Sequence, residues 1–367
     1  MTNNLSLYIH IPFCIKKCDY CAFYSLPNQD DGIKQDYFEA LKRQIGFFEP
    51  DRKISSVYFG GGTPPLIGLD RLCSLVEYIK SRFELVDGCE ITVEINPKSI
   101  GFDGLTKLYS VGVNRLSIGV QSADNRVLKS IGRIHTFEDA KKTVFDARRA
   151  GFKNVSADLI FALPQQTNGE FYDSLRRFLE LDVNHISAYS LQLEEGTPLF
   201  CRSGALVFPS EDEEEAQYAM ICSLLKERGF NQYEVSAFCK AGFESLHNLN
   251  YWLMGEYFGF GAAAHSFYNK RRFSAEKDIM RFIATSGDSL FAPTDYDSAD
   301  ILTEQELEEE RIMLGLRTKY GAKIHENAAA TAQEIANLGY GSFENRILIL
   351  NSRGFRVSNS IIAKILL

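Results

Sequence analysis

The sequence predicts an α/β protein: an incomplete (β/α)6 barrel of the TIM type, followed by a small C-terminal domain of mixed helices and strands. Three observations point there. Short β-rich runs alternate with amphipathic stretches through the first half, which is the mark of parallel βαβ units. The polar and glycine-rich residues collect where those strands end, as they do at the rim of a parallel barrel. The alternation then stops, at about residue 191 of 367, so six repeats are present, too few for a closed eight-stranded barrel.

Taken in order, the expected strands are Leu5 to His10, Ser56 to Phe59, Glu90 to Ile95, Arg115 to Val120, Asn154 to Ile160 and His185 to Leu191. Helices are expected at Asp36 to Phe48, Leu69 to Phe83, Gly104 to Ser110, Phe137 to Ala150 and Phe171 to Leu181. Beyond them, Glu211 to Arg228 reads as a long helix and Asn231 to Phe238 as a strand at the sheet edge. Glu308 to Leu316 and Arg346 to Leu350 read as a helix and a strand of the small last domain, with Pro293 to Asp300 as the linker before it. The expected units are 1–235, an extension 236–300 and a domain 301–367.

Hydrophobic content of 45% and charged content of 24% are ordinary globular values. No apolar run is long enough to span a membrane, and the first residues lack the layout of a signal peptide, so a cytoplasmic location is expected. A net charge of −8 without clustered Lys and Arg argues against nucleic acid as a partner. Eight cysteines fit a reducing compartment: Cys73, Cys89, Cys201, Cys222 and Cys239 are scattered singly, as reduced thiols are.

The other three stand together. Cys14, Cys18 and Cys21 follow the first strand with C-x3-C-x2-C spacing. Zinc with His10 as a fourth ligand is one reading, and a C-x-x-C redox pair at Cys18 and Cys21 another. Against zinc, His10 lies within the strand pattern and no second cysteine pair follows; against the redox pair, a third thiol sits four residues upstream. A 4Fe-4S cluster remains: three thiolates leave one of its irons free to bind a further ligand.

Residues for that ligand are expected at the other strand ends. Gly60-Gly61-Gly62-Thr63-Pro64 lacks both the P-loop and the dinucleotide signature, and reads either as a tight connection or as a place where backbone meets a small molecule. Glu94, Gln121, Arg133 and Asp158 are candidate ligand contacts whose alternative roles are ion pairs or caps.

Tyr8-x-His10-Ile-Pro-Phe-Cys14-x3-Cys18-x-Tyr20-Cys21, the glycine run, Glu94 in ITVEINP, Gly119-Val-Gln121-Ser and Asp158-Leu-Ile-x-x-Leu-Pro164 resemble the radical S-adenosylmethionine enzymes of the oxygen-independent coproporphyrinogen III oxidase type. The resemblance covers nearly the whole chain. It implies that Cys14, Cys18 and Cys21 hold a 4Fe-4S cluster and that Tyr8, Tyr20, Gly61, Gly62, Thr63, Glu94, Gln121, Arg133 and Asp158 line an S-adenosyl-L-methionine site. In such enzymes one electron from the cluster cleaves the sulfonium to a 5′-deoxyadenosyl radical, and a barrel interior shields that radical from water.

Two departures point away from the oxidase itself. Phe23 stands where that enzyme has a fourth cysteine, and the first cluster cysteine is already residue 14. With His247-Asn248-Leu-Asn-Tyr251-Trp252, they resemble the heme chaperone family HemW, in which that motif is associated with heme. The resemblance implies heme as cargo, with His247 as iron ligand and Tyr251 and Trp252 as flat apolar surface, and heme-accepting proteins as partners, membrane-bound respiratory components among them. A homodimer is left open, and the alternative function is the oxidase reaction of porphyrin and heme biosynthesis.

Overall fold

Strand β1, Leu5–Ile11, alternates apolar and polar residues, and a period of two sends these to opposite faces. Leu5, Leu7, Ile9 and Ile11 pack into the main core, while Ser6, Tyr8 and His10 share the other face. The computed structural model, which describes residues 4–287, 289 and 300–367, repeats this division across the neighbouring strands. These are β2 Ile54–Gly61, β3 Leu85–Ile95, β4 Arg115–Gln121, β5 Asn154–Phe161 and β6 His185–Ser190, all parallel. On the same face as the polar residues of β1 run Ser56 and Tyr58, then Glu90 and Thr92, then Arg115 and Ser117, with Ser156 beside Ser117 and His185 beside Ser156. One face of the sheet is therefore a polar interior, and the other is covered by helices.

Several helices begin where side-chain caps place them. Asp30 accepts from the Ile33 N–H, so α1 spans Asp31–Phe47 and starts five residues before the expected Asp36. Thr167 and Glu170 form a capping box that moves the start of another helix forward to Asn168. Helix α2 is Leu69–Arg82, α3 Phe102–Ser110, α4 Phe137–Ala150, α5 Asn168–Phe178 and α6 Glu211–Glu227. The expected helices and strands of the first half are all present. A short helix at Asn125–Ser130 is additional.

The sheet is larger than expected and open. β7 Asn231–Gln232 and β8 Ala237–Cys239 add to β6 at one end; β9 Tyr257–Phe260, β10 His265–Tyr268, β11 Arg271–Ser274 and β12 Asp300–Ile301 add to β1 at the other. The order is β12-β11-β10-β9-β1-β2-β3-β4-β5-β6-β8-β7, twelve strands among the described residues with two free ends. The barrel is thus incomplete, as expected. Strand β9 runs parallel to β1 with Tyr8 beside Gly259, a seventh parallel strand that the sequence reading missed. The single strand expected at Asn231 to Phe238 is two, because the Glu234 carboxylate accepts from the Ser236 N–H at 2.8 Å and bends the chain between them.

Residues from Glu304 onward build a separate small core around Ile312, Leu316, Ile335, Leu348 and Ile361. Its first helix, α8, labelled after α7 Leu246–Trp252, is Glu304–Gly315, and its three short strands form their own sheet. The bridge Glu234–Thr318 joins it to the turn after β7. Of the expected linker, Pro293 to Ala299 lies outside the described residues.

Helix α7 is tied to the polar interior by its amino end. Ser245 caps it, and the Glu90 carboxylate accepts from the N–H groups of Leu246 and His247, both at 3.1 Å. Glu90 is buried beside the buried Arg115 guanidinium, 3.9 Å away. Glu90→Ala strands that cation and leaves two N–H groups at the helix start without their acceptor. Its expected cost is about 3–5 kcal/mol, the range for removing one partner of a buried pair, read as a lowered urea midpoint, whereas Glu90→Gln keeps an acceptor for the N–H groups and costs less.

Candidate cofactor and ligand site

The loop after β1 crosses the end of β2, and the glycine run makes the crossing tight. Gly62 N–H donates to Ile11 O at 2.8 Å and Thr63 N–H to Phe13 O at 2.8 Å. A Cβ on Gly62 would lie 2.6 Å from Phe13 O, and one on Gly61, where φ is +107°, 2.5 Å from the His10 ring. These two glycines are needed for that approach. The N–H of Gly61 is taken as well, by the Glu94 carboxylate at 3.2 Å.

The three cysteines on this loop are half-buried and unpaired. Burial pushes the thiols of Cys14 and Cys21 up from their ordinary values. Cys14 Sγ is 3.9 Å from the Thr63 hydroxyl, and Arg133 Nη1 donates to Cys18 Sγ at 3.3 Å. Asn96 completes the network: its Nδ2 donates to Thr63 Oγ1 at 2.7 Å, and its Oδ1 accepts from Arg133 Nη2 at 2.6 Å. The sequence reading missed Asn96, although it is the first polar residue past the end of β3 in the segment already singled out. Arg133 also donates to the Gly119 carbonyl, and its buried Nε has no partner among the described residues. Among the described residues no three Cys, His, Asp or Glu side chains converge as ligands of a single ion would. A cubane takes one thiolate per iron, so its sulfurs stand apart. The donor set fits a cluster of that kind.

Glu94 and Asp158 sit further inside. Tyr58 donates to Glu94 Oε1 at 2.7 Å, and Ser117 to Asp158 Oδ1 at 3.2 Å. Burial pushes Glu94 up to about 7; the Tyr58 hydroxyl pulls back and the Asp158 charge pushes the same way as burial. Burial likewise raises Asp158. Gln121 holds a left-handed backbone, φ 69°, at a register shift in β4, a conformation costly for a residue with a side chain. Tyr20 tucks beside Val127, Ile131 and Leu163.

Next to the cysteine loop lies a cavity of about 1030 Å³. Tyr8 and His10 from β1, Phe23 and Tyr24 just after Cys21, and Tyr251 and Trp252 from α7 line it, with Met313 and Leu314 of the small domain on another side. Phe23, the residue at the oxidase's cysteine position, is 71% exposed and presents its ring there. His247 is not on this wall. It is 1% exposed, stacks on Tyr58 with ring centroids 4.9 Å apart, and has both nitrogens engaged: Nδ1 with Ser56 Oγ at 2.8 Å and Nε2 with Tyr251 Oη at 2.8 Å. Burial lowers it to about 3. The expectation that His247 ligates heme iron therefore meets no open nitrogen.

Residues 8–178 match the Radical SAM superfamily. Over 99% of its length the chain is 34% identical to "Heme chaperone HemW" of Lactococcus lactis, covering 97% of that protein, and 33% identical over 97% to the protein of the same name from Bacillus subtilis, again covering 97% of it. The chain belongs to the HemW family. A solved structure titled as coproporphyrinogen III oxidase (HemN) from Escherichia coli superposes with a TM-score of 0.84 over 99% of this chain and 90% of the other, at 21% identity, which shows that this HemW-family chain shares its fold. No helix among the described residues is long and apolar enough to cross a membrane.

A raised carboxyl stabilises the fold while protonated. For Glu94 that contribution is complete below its unfolded value, about 4.5, and is lost as pH climbs through about 7. Buried His10, His135 and His247, all lowered, act in the opposite sense below pH 6.5, so the informative quantity is a difference. In the ligand-free chain, Glu94→Gln is expected to gain stability relative to the parent as pH rises from about 5 to 8, measured by paired urea unfolding; a constant difference contradicts the burial argument.

Proposed function

We propose that this protein binds heme and hands it to acceptor proteins, and that it does so on a scaffold carrying a 4Fe-4S cluster and S-adenosyl-L-methionine. One observation above all supports the reading. A cavity of about 1030 Å³, walled by aromatic rings, lies against the cysteine loop. Its volume is at the upper end of the range for small-molecule sites, and its flat, largely apolar walls match a tetrapyrrole. The names of the relatives agree with that cargo.

Cys14, Cys18 and Cys21 would hold the cluster, which supplies one electron when reduced. Arg133 sets a cation against Cys18 and fixes Asn96, and through it Thr63. Glu94 and Asp158 place acidic groups inside the polar face, where a sulfonium or an ammonium of S-adenosylmethionine would be held away from water. Gly61 and Gly62 keep the loop close enough to β2 for these groups to act on one ligand. Tyr8 of β1 lines the cavity, and Tyr20, within the cysteine loop, anchors it against Val127, Ile131 and Leu163. Tyr251 and Trp252 offer the porphyrin its apolar surface, and Phe23 adds a ring where the oxidase has sulfur.

Anaerobic reconstitution with iron and sulfide is expected to load about four irons per chain, and replacement of all three cysteines by alanine to abolish loading; equal uptake by the variant refutes the cluster assignment. In the same preparation heme titrates into the cavity, and coproporphyrinogen III with reductant and S-adenosylmethionine yields no protoporphyrinogen. Formation of that product would establish the oxidase reaction instead.

A further inference from the structure

A protein that carries heme needs a donor with an open lone pair facing its cavity, and the chain has six histidines from which to take an imidazole. Four of them are buried and spoken for. His10 is held between the Tyr8 hydroxyl at 3.0 Å and the Tyr24 carbonyl at 2.9 Å, and His185 between Ser156 at 2.7 Å and Tyr233 at 2.7 Å. His247 is held between Ser56 and Tyr251, and His135 is buried against the Val120 carbonyl at 3.1 Å. His325 lies in the small domain, 3.8 Å from Glu308, and is not part of the cavity lining.

His265 differs in every respect. It opens β10, where alternation places it on the same face as Phe267, and both residues line the cavity. Its ring is exposed to that space, and no hydrogen-bond partner occupies either nitrogen among the described residues. The backbone beneath it is rigid. His265 pairs with Ser274 in the sheet, and a Cβ on Gly259 of β9 would lie 2.2 Å from His265 O, so the neighbouring strand is pressed against it. The same cavity lining carries Lys277, a cation suited to a heme propionate, and Arg272, which is already paired with Glu310.

On the heme reading above, on which this inference rests, we propose that His265 is the axial ligand of the iron. His247 is then a positioning residue: it orients Tyr251 on α7 through the 2.8 Å hydrogen bond and so shapes the aromatic wall, without touching the metal.

The full-length protein titrated with hemin, then reduced, tests the assignment by its Soret band and by the iron–histidine stretch in resonance Raman. The parent is expected to show that stretch. His265→Ala is expected to lose it and to bind hemin at least tenfold more weakly, with added imidazole restoring the parent spectrum; His265→Gln, which keeps a polar side chain of similar size, is expected to lose the stretch too. His247→Gln is expected to retain it at reduced affinity. The proposal is overturned if both His265 variants keep the stretch, or if His247→Gln alone abolishes it. Failure of the parent protein to take up hemin would overturn the heme reading itself, a result distinct from either pattern among the variants. Because His265 is exposed, its variants are expected to match the parent in circular dichroism.

Discussion

The structure depends on where β1 lies. This strand, eleven residues from the amino terminus at its far end, is flanked by β2 on one side and by β9, some two hundred and fifty residues later, on the other. Both neighbours run parallel to it, so all three end at the same rim. The cysteine loop leaves that rim directly. One side of it is pinned to the glycine run by backbone hydrogen bonds, and the other looks into the cavity whose far wall is β10. A pairing between the start of the chain and a strand far along it is thus what brings a thiol cluster and a large aromatic cavity together.

The second constraint is the inversion of the usual barrel interior. Closed parallel barrels fill their centre with branched apolar side chains, whereas here Tyr58, Glu90, Glu94, Asp158 and His185 occupy the inward face and hydrogen-bond one another or their neighbours, and Arg115 lies among them 3.9 Å from Glu90, its Nε and Nη1 without a hydrogen-bond partner among the described residues. Burial makes that arrangement costly for charge, which is why the carboxyls of Glu94 and Asp158 are both pushed up. The cations Arg115 and Arg133 offset part of that acidity, and the cationic ligand proposed above would offset more.

Much of this was legible in the residues themselves. The alternation in LSLYIHI, the capping residues and the glycines at strand ends specify the first six strands and their helices, because local chemistry and burial agree. Cys14, Cys18 and Thr63 of the small candidate cluster could be named for the same reason, since they lie in the loops that leave strand ends, whereas Arg133 comes after the short helix Asn125–Ser130. What was not legible depends on the far pairing. Nothing in Tyr257–Phe260 announces that it will lie beside Leu5–Ile11, so β9 and the cavity behind it were missed. The HNxxYW segment shows the same limit in a different way. Its spacing says that His247 and Tyr251 share a helical side, but only the packing reveals that the histidine turns inward to Ser56 while Tyr251 and Trp252 look out.

The cavity is bounded by two bodies with separate cores. The main sheet supplies most of its surface, but Met313 and Leu314 come from α8, which belongs to the small C-terminal core. Those bodies meet through the Glu234–Thr318 bridge and through pairs such as Lys319 with Glu244. The enclosure is consequently a shared property, like the space inside a clasp: neither half possesses it alone, and a shift at the seam between them would change its shape.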